Sequence, residues 1–198
     1  MAIKFQYNKT ALQQLEKQLK VRVRALPTIK NKESALRVEV KKAKDRMKEL
    51  DIQLEEKIKG YEDQIAIWGE FDKDLLRIED VELSSKKIAG VKTPVLEGID
   101  FHLKKFSLFN KPNWYLDGIS MMKELAEIAI EKEIFHKKME LLDYARKKTT
   151  QKVNLFEKVQ IPGYEDAIRK IKRFLEDEEN LSKSAQKIVK SRQQEVQL

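Results

Sequence analysis

The sequence predicts an all-α fold: a long antiparallel two-helix coiled coil with a small β-hairpin-containing insert at the turn end. Three observations predict it. Gly (6) and Pro (4) are scarce while charged residues reach 37%, the composition of long helices that need turns only at their ends. Two long stretches carry apolar residues at steps of 3 and 4, a heptad seam. Between them lies a stretch holding Gly90, Pro94, Gly98 and Pro112, where the helical period gives way to a period of two.

The first helical arm runs over about 8–78. Leu12, Leu15 and Leu19 open its seam, and Asn8 or Thr10 is placed to cap its start. Pro27 removes a backbone donor and should kink or divide the helix there. Leu36, Val40, Ala43, Met47, Leu50 and Leu54 then follow at steps of 4, 3, 4, 3, 4. Leu54 to Ile58 is a second consecutive step of 4, an insertion that locally unwinds a supercoil. The seam resumes at Tyr61, Ile65, Trp68, Phe71, Leu75 and Ile78. Such an arm would span ~100 Å at about 1.5 Å per residue.

The insert covers about 79–113. Val91–Val95 and Ile99–Leu103 flank Glu97-Gly98, and Ile99, Phe101 and Leu103 alternate, as do Phe106 and Leu108 after a shift at Lys104-Lys105. This reads as a short hairpin turning at Glu97-Gly98, with a bulge. Pro94 confines its strand to an edge. A lone hairpin is marginal in water, so it should pack on the helical arms or on a partner.

The second arm covers about 114–192. Its seam takes in Met122, Leu125, Ala129, Phe135, Met139, Leu142, Thr149, Val153 and Phe156. It runs into Val159-Gln-Ile-Pro-Gly-Tyr164 and restarts as Tyr164, Ile168, Ile171 and Leu175. The last residues, from about Gln186, are polar and should fray. Neither arm can bury its seam alone, so the two fold back on each other and residues 1–198 form a single elongated unit.

The net charge of +8 is uneven: +10 over residues 1–48, −6 over 49–142 and +4 over 143–198. Antiparallel pairing would gather the two basic segments at one end. A basic patch can serve nucleic acid, but interleaved aromatics or a recognition motif would then be expected, and neither is present. No Gly-rich phosphate loop occurs. His102 and His136 match no metal-ligand spacing. The cluster Glu176-Asp-Glu-Glu179 has the look of a solvated helix face. Cysteine is absent, which removes disulfides and thiolate chemistry. No signal peptide opens the chain, and no run approaches the 18 or so apolar residues of a membrane span. The expectation is a cytoplasmic protein with no active site and no cofactor.

Lys152–Glu179, KVNLFEKVQIPGYEDAIRKIKRFLEDEE, resembles the C-terminal signature of the D subunit of the V-type (archaeal/vacuolar-type) ATPases. That pattern runs approximately Arg-Arg-Val-Asn-Ala-Leu-Glu, then Ile-Pro, then a helix rich in Ile, Leu and Glu. Val153, Asn154, Glu157, Ile161 and Pro162 match it. Gln151 and Lys152 stand where the family favours arginines, and Leu155 and Phe156 where it has Ala and Leu. Ile88-Ala-Gly90-Val91-Lys-Thr-Pro94 resembles the family's Gly-Val-x-x-Pro element. The opening arm is similar as well, and Pro27, which departs from the commoner archaeal and eukaryotic pattern, looks more like a bacterial branch.

The resemblance implies a central-stalk rotor shaft, one copy per complex, coupling ATP hydrolysis or synthesis in the head to rotation of the ion-carrying membrane ring. It implies contacts with catalytic and non-catalytic head subunits through Val153, Asn154, Glu157, Ile161 and Pro162. At the hairpin end, Gly90, Val91 and Pro94 would serve the F subunit of the central stalk and the subunit capping the membrane ring. The chain would itself be non-catalytic, bind no nucleic acid, insert into no membrane, and sit in the cytoplasm at the membrane-bound complex. Pro162 would bend the second helix and make the shaft asymmetric. A rigid coiled-coil scaffold or tether is the alternative.

Overall fold

The computed structural model describes residues 3–61, 75–107, 109, 111 and 114–196. Helix α1 is Lys9–Gly60, strands β1 and β2 are Leu76–Ile88 and Val91–Leu103, and helix α2 is Tyr115–Asn154. A π-helical segment, Leu155–Gln160, joins α2 to helix α3, Ile161–Val196, without a break in helical backbone. The predicted class is the one observed: mostly helix with one small antiparallel hairpin. The seam positions Ile65, Trp68 and Phe71, and the residues Leu108 and Pro112 of the insert, lie outside the described residues.

Contacts divide the chain into two compact units, Met1–Lys32 with Thr149–Leu198, and Glu33–Lys148. In the Glu33–Lys148 unit the heptad seam does what its spacing dictates. Leu36, Ala43 and Leu50, seven residues apart, are almost wholly buried, and so is Leu142 of α2. Val40, Met47 and Leu54, the alternate seam positions, are half-buried. Ile58, reached by the extra step of four, is largely exposed, so the insertion carries the seam out of the core. Arg46 Nη2 donates to Glu131 Oε1 (3.1 Å), Lys132 pairs with Asp51, and Lys57 pairs with Glu124. From Arg46–Glu131 to Lys57–Glu124 the numbers rise along α1 and fall along α2, so the two helices run antiparallel.

The hairpin corrects the predicted position in three ways. Its turn is Ala89-Gly90, not Glu97-Gly98, and both turn residues have positive φ (48° and 80°), the mark of a type I′ turn. Glu97 is instead the extra residue of a bulge in β2, because Glu82 pairs with Gly98 while Leu83 pairs with Leu96. A second bulge sits in β1, where Ile78 pairs with Phe101 and Asp80 with Asp100, leaving Glu79 over. The helical arm also does not reach 78. Leu75 and Ile78 fit a helical seam, but β1 begins at Leu76, and the bulge at Glu79 breaks the alternation that would have revealed it.

The hairpin packs on helix, as a two-stranded sheet must. Leu75, Tyr115 and Ile119 are buried together, with Leu103, Phe106, Trp114 and Met122 against them. Farther along β2, Phe101 lies under Lys123, and Pro94–Leu96 face Ile134 and Phe135. Strand β2 therefore runs antiparallel to α2. Thr93 is buried, and its hydroxyl donates to the Lys86 carbonyl (3.0 Å).

In the other unit, Leu15 of α1 is buried with Tyr164, Ala167, Ile168 and Ile171 of α3. Asn8 caps α1: its Oδ1 accepts from the Ala11 amide (2.7 Å), while Thr10 lies inside the helix. Pro27 does not divide α1, which is assigned helix throughout Lys9–Gly60. The C-terminal residues do not fray as predicted from Gln186; helix persists to Val196.

Candidate interaction surfaces

Pro162 and Gly163 fall in the first turn of α3, directly after the π-helical segment. Proline has no amide hydrogen to donate, and its ring collides with the carbonyl four residues back, here that of Lys158. The backbone answers by widening. The Ile161 amide donates to the Phe156 carbonyl, five residues back rather than four. One residue is thereby inserted, which turns everything downstream by about 100°. That re-phasing is what the side chains need. From Phe156 the inward positions run Gln160, Tyr164, Ile168, three steps of four in a row, more than an unbroken heptad seam can hold.

Gly163 has a separate reason. A Cβ there would stand 3.2 Å from Cδ1 of Ile3. The segment ahead of α1 lies back along α3: Ile3 and Phe5 pack on the Leu15–Ile171 cluster, Phe5 meets Tyr7 edge-on (5.3 Å), and Tyr7 meets Phe174 (4.9 Å). The unusual Pro-Gly pair thus combines a register device and a seat for the N-terminal segment.

The five motif residues divide by direction. Val153 and Ile161 are half-buried, while Asn154, Glu157 and Pro162 are exposed. Glu157 is tied to α1 by Lys30 (2.7 Å). The structure adds a residue that the motif did not single out. Arg22 of α1 donates through Nε to Gln160 Oε1 (2.7 Å), and its guanidinium lies 4.6 Å from the Tyr164 ring centre and 6.0 Å from that of Phe156. Only the antiparallel pairing brings it there. A single α1 position shows no signal of this kind.

Beyond Leu175, every described side chain of α3 is exposed, including Leu181, Ile188 and Val189. Charges pair along α3 on both sides of Leu175. Asp166 is held below the usual carboxylate range by hydrogen bonds from Lys170 and Arg169, and Glu179 likewise by Lys183.

At the hairpin, Gly90 supplies the second of the two left-handed turn positions, Val91 pairs with Ile88 to close it, and Pro94 lies opposite Ser85. Pro94 also lines a shallow groove of about 250 Å³ with Leu96, Ile134 and Phe135. Among the described residues no group of three His, Cys, Asp or Glu side chains could hold a metal, and no helix is long and apolar enough to cross a membrane.

A family model for the D subunit of ATP synthase matches residues 11–191, nearly the whole chain. The chain belongs to the ATP synthase D-subunit family. It is similar to the V-type ATP synthase D subunit of Borreliella burgdorferi, 30% identical over 191 residues that cover 95% of this chain and 94% of that one. It is similar also to the V-type ATP synthase D subunit of Chlamydia pneumoniae (29% over 169 residues, 82% and 81% covered). A third relative, from Chlamydia muridarum, carries the same description (29% over 157 residues, 77% of each). The expected V-type family and its bacterial branch are thus both found. As a member of the V-type D-subunit family the chain is a component of a V-type ATPase and associates with other subunits of that complex.

Proposed function

We propose that this protein is the central rotor shaft of its complex, present in one copy. In this reading it couples ATP hydrolysis or synthesis in the head to rotation of the ion-carrying membrane ring. The observation that carries the reading is the end of α3. Some twenty residues remain helical with every described side chain exposed and three large apolar ones in the open. A helix end of that kind is built to be enclosed by other chains. Two further features support it. Helical backbone continues from Tyr115 to Val196, so a twist applied at one end has no loop to dissipate in. Among the described residues, the buried seam positions of α1 are covered by helices of the same chain, which supports a single copy.

The head-facing contacts are then Val153, Asn154, Glu157, Ile161 and Pro162, met by catalytic and non-catalytic head subunits. Gly90, Val91 and Pro94 belong to the end serving the F subunit of the central stalk and the subunit that caps the membrane ring. The chain is non-catalytic, and it sits in the cytoplasm, peripheral to the membrane. A bead fixed to this chain in an immobilised, reconstituted head should turn in one sense when ATP is added. A bead that stays still while ATP is hydrolysed would favour the static scaffold instead.

A further inference from the structure

The hairpin segregates its charge. Between Ser84 and Val95 it holds Lys86, Lys87 and Lys92 and no acidic residue, whereas the remainder of the two strands carries five acids against one arginine. All three lysines are exposed, and none has an ion-pair partner among the described residues. In the helices, by contrast, Lys30, Lys57, Lys132, Lys170, Lys172 and Lys183 are all paired.

The tip is also built against local stability. Lys87 lies directly opposite Lys92 across the strands, and like charges in that position repel. Ala89 occupies the left-handed region at φ 48°, where Gly, Asn or Asp would sit more easily. Lysines that merely protect sheet edges from aggregation would be placed along the strands. Here the strands are already guarded by Glu79, Asp80, Glu82, Glu97 and Asp100. Two residues beyond Lys92 begins the apolar groove of Pro94, Leu96 and Phe135, about 7 Å away along the strand.

We propose that the hairpin tip is a docking surface for an acidic protein segment that also carries one apolar side chain. The acids meet Lys86, Lys87 and Lys92, and the apolar side chain enters the groove against Phe135. The proposal rests on the reading of the hairpin as a partner-binding element, not on rotation. Nucleic acid and anionic lipid are the lesser fits, because no residue from Ser84 to Val95 is aromatic and able to offer a stacking face, and the groove asks for a side chain.

The test uses the full chain in the reconstituted complex, with a photo-cross-linking amino acid at position 87. The expected product joins this chain to a segment of another subunit rich in Asp and Glu. The triple change K86E/K87E/K92E should weaken association at that end about tenfold, and lysines placed in the mapped segment should restore it. Raised salt should weaken the unaltered contact, change little for the neutral set K86Q/K87Q/K92Q, and strengthen association of the charge-reversed variant by screening its repulsion from the acids. Phe135→Ala should cost about threefold and leave the salt dependence in place. If the triple reversal disturbs the hairpin by circular dichroism, the milder K86Q/K87Q/K92Q set carries the comparison. Cross-links only to lipid or nucleic acid, or association within twofold of the original in both triple variants, would overturn the proposal. A complex that assembles and rotates with normal tip binding in those variants removes only this docking site. Tip docking in a complex that never rotates removes only the rotor reading.

Discussion

The two compact units solve the same problem, pairing an early helix with a late one, by different means. In Glu33–Lys148 the pairing is regular: Leu36, Ala43 and Leu50 recur every seven residues, and ion pairs between helices flank the seam. In the other unit the seam is irregular. A π-helical segment re-phases it, Arg22 replaces an apolar contact with a stacked guanidinium, and an N-terminal segment is laid over the pair. The difference teaches that heptad spacing suffices where only stability is at stake. Departures from it gather where the family motif lies.

The regular unit should be the more sensitive to truncation in its core. Leu36→Ala and Leu142→Ala remove side chains with no exposure and should each cost about 2–5 kcal/mol, read from urea unfolding followed by circular dichroism. A loss below about 1 kcal/mol would mean that the helices are not tightly paired there.

Pro162→Ala sharpens the comparison in the irregular unit. The change restores an amide donor and relieves a ring clash, for a gain of up to about 3 kcal/mol in an α-helix interior. If proline alone imposed the π-segment, its removal would let the helix tighten and rotate Tyr164, Ala167, Ile168 and Ile171 out of the core. Exposing four such side chains costs more than the proline does, at about 1.5–3 kcal/mol for each large one. The π-segment should therefore persist, with stability raised by less than about 3 kcal/mol. A crystal structure of the variant with α-helix through Leu155–Gln160 would show that proline, and not the seam, sets the register.

Arg22→Ala should cost about 1–2 kcal/mol, from the lost hydrogen bond to Gln160 and the lost stacking on Tyr164. Arg22→Lys should recover little of it, because an ammonium cannot stack and bond in the same plane. Thermal unfolding of the pair checks both.

The smallest effect is electrostatic. In the regular unit, hydrogen bonds from Lys147 and Arg146 hold the Asp143 carboxyl below its usual range. A carboxylate depressed in the folded state contributes stability that is fully present above its unfolded pKa, about 3.9, and is lost as pH falls through the lower folded value. Asp143→Asn should therefore cost a few tenths of a kcal/mol at pH 7 and nothing near pH 2. An equal cost at both would assign the effect to helix propensity.

Much of this was legible in the sequence. The Leu36–Leu54 seam follows from spacing, because a buried heptad leaves the same mark wherever it lies, and the antiparallel direction follows from two seamed arms joined by a small insert. The hairpin was legible as a hairpin but misplaced. Glu97-Gly98 resembles a turn and Ala89-Gly90 does not, and two bulges hide the alternation of β1 and β2. Pro27 on its own suggests a kink or a division, yet a single missing donor is outweighed by a helix held on both sides. At Pro162 the strain was legible and its resolution was not. A π-segment depends on which side chains α1 presents, and Arg22 and Ile3 are distant in sequence.

The most direct test of the central claim is ATP turnover with the shaft tied to its housing. The chain has no cysteine, so Ser184→Cys on the exposed part of α3 can be paired with one introduced in the surrounding head. Disulfide closure should stop sustained hydrolysis by the reconstituted complex, and reduction should restore it. Full multi-turn activity with every such cross-link closed would contradict the rotor assignment.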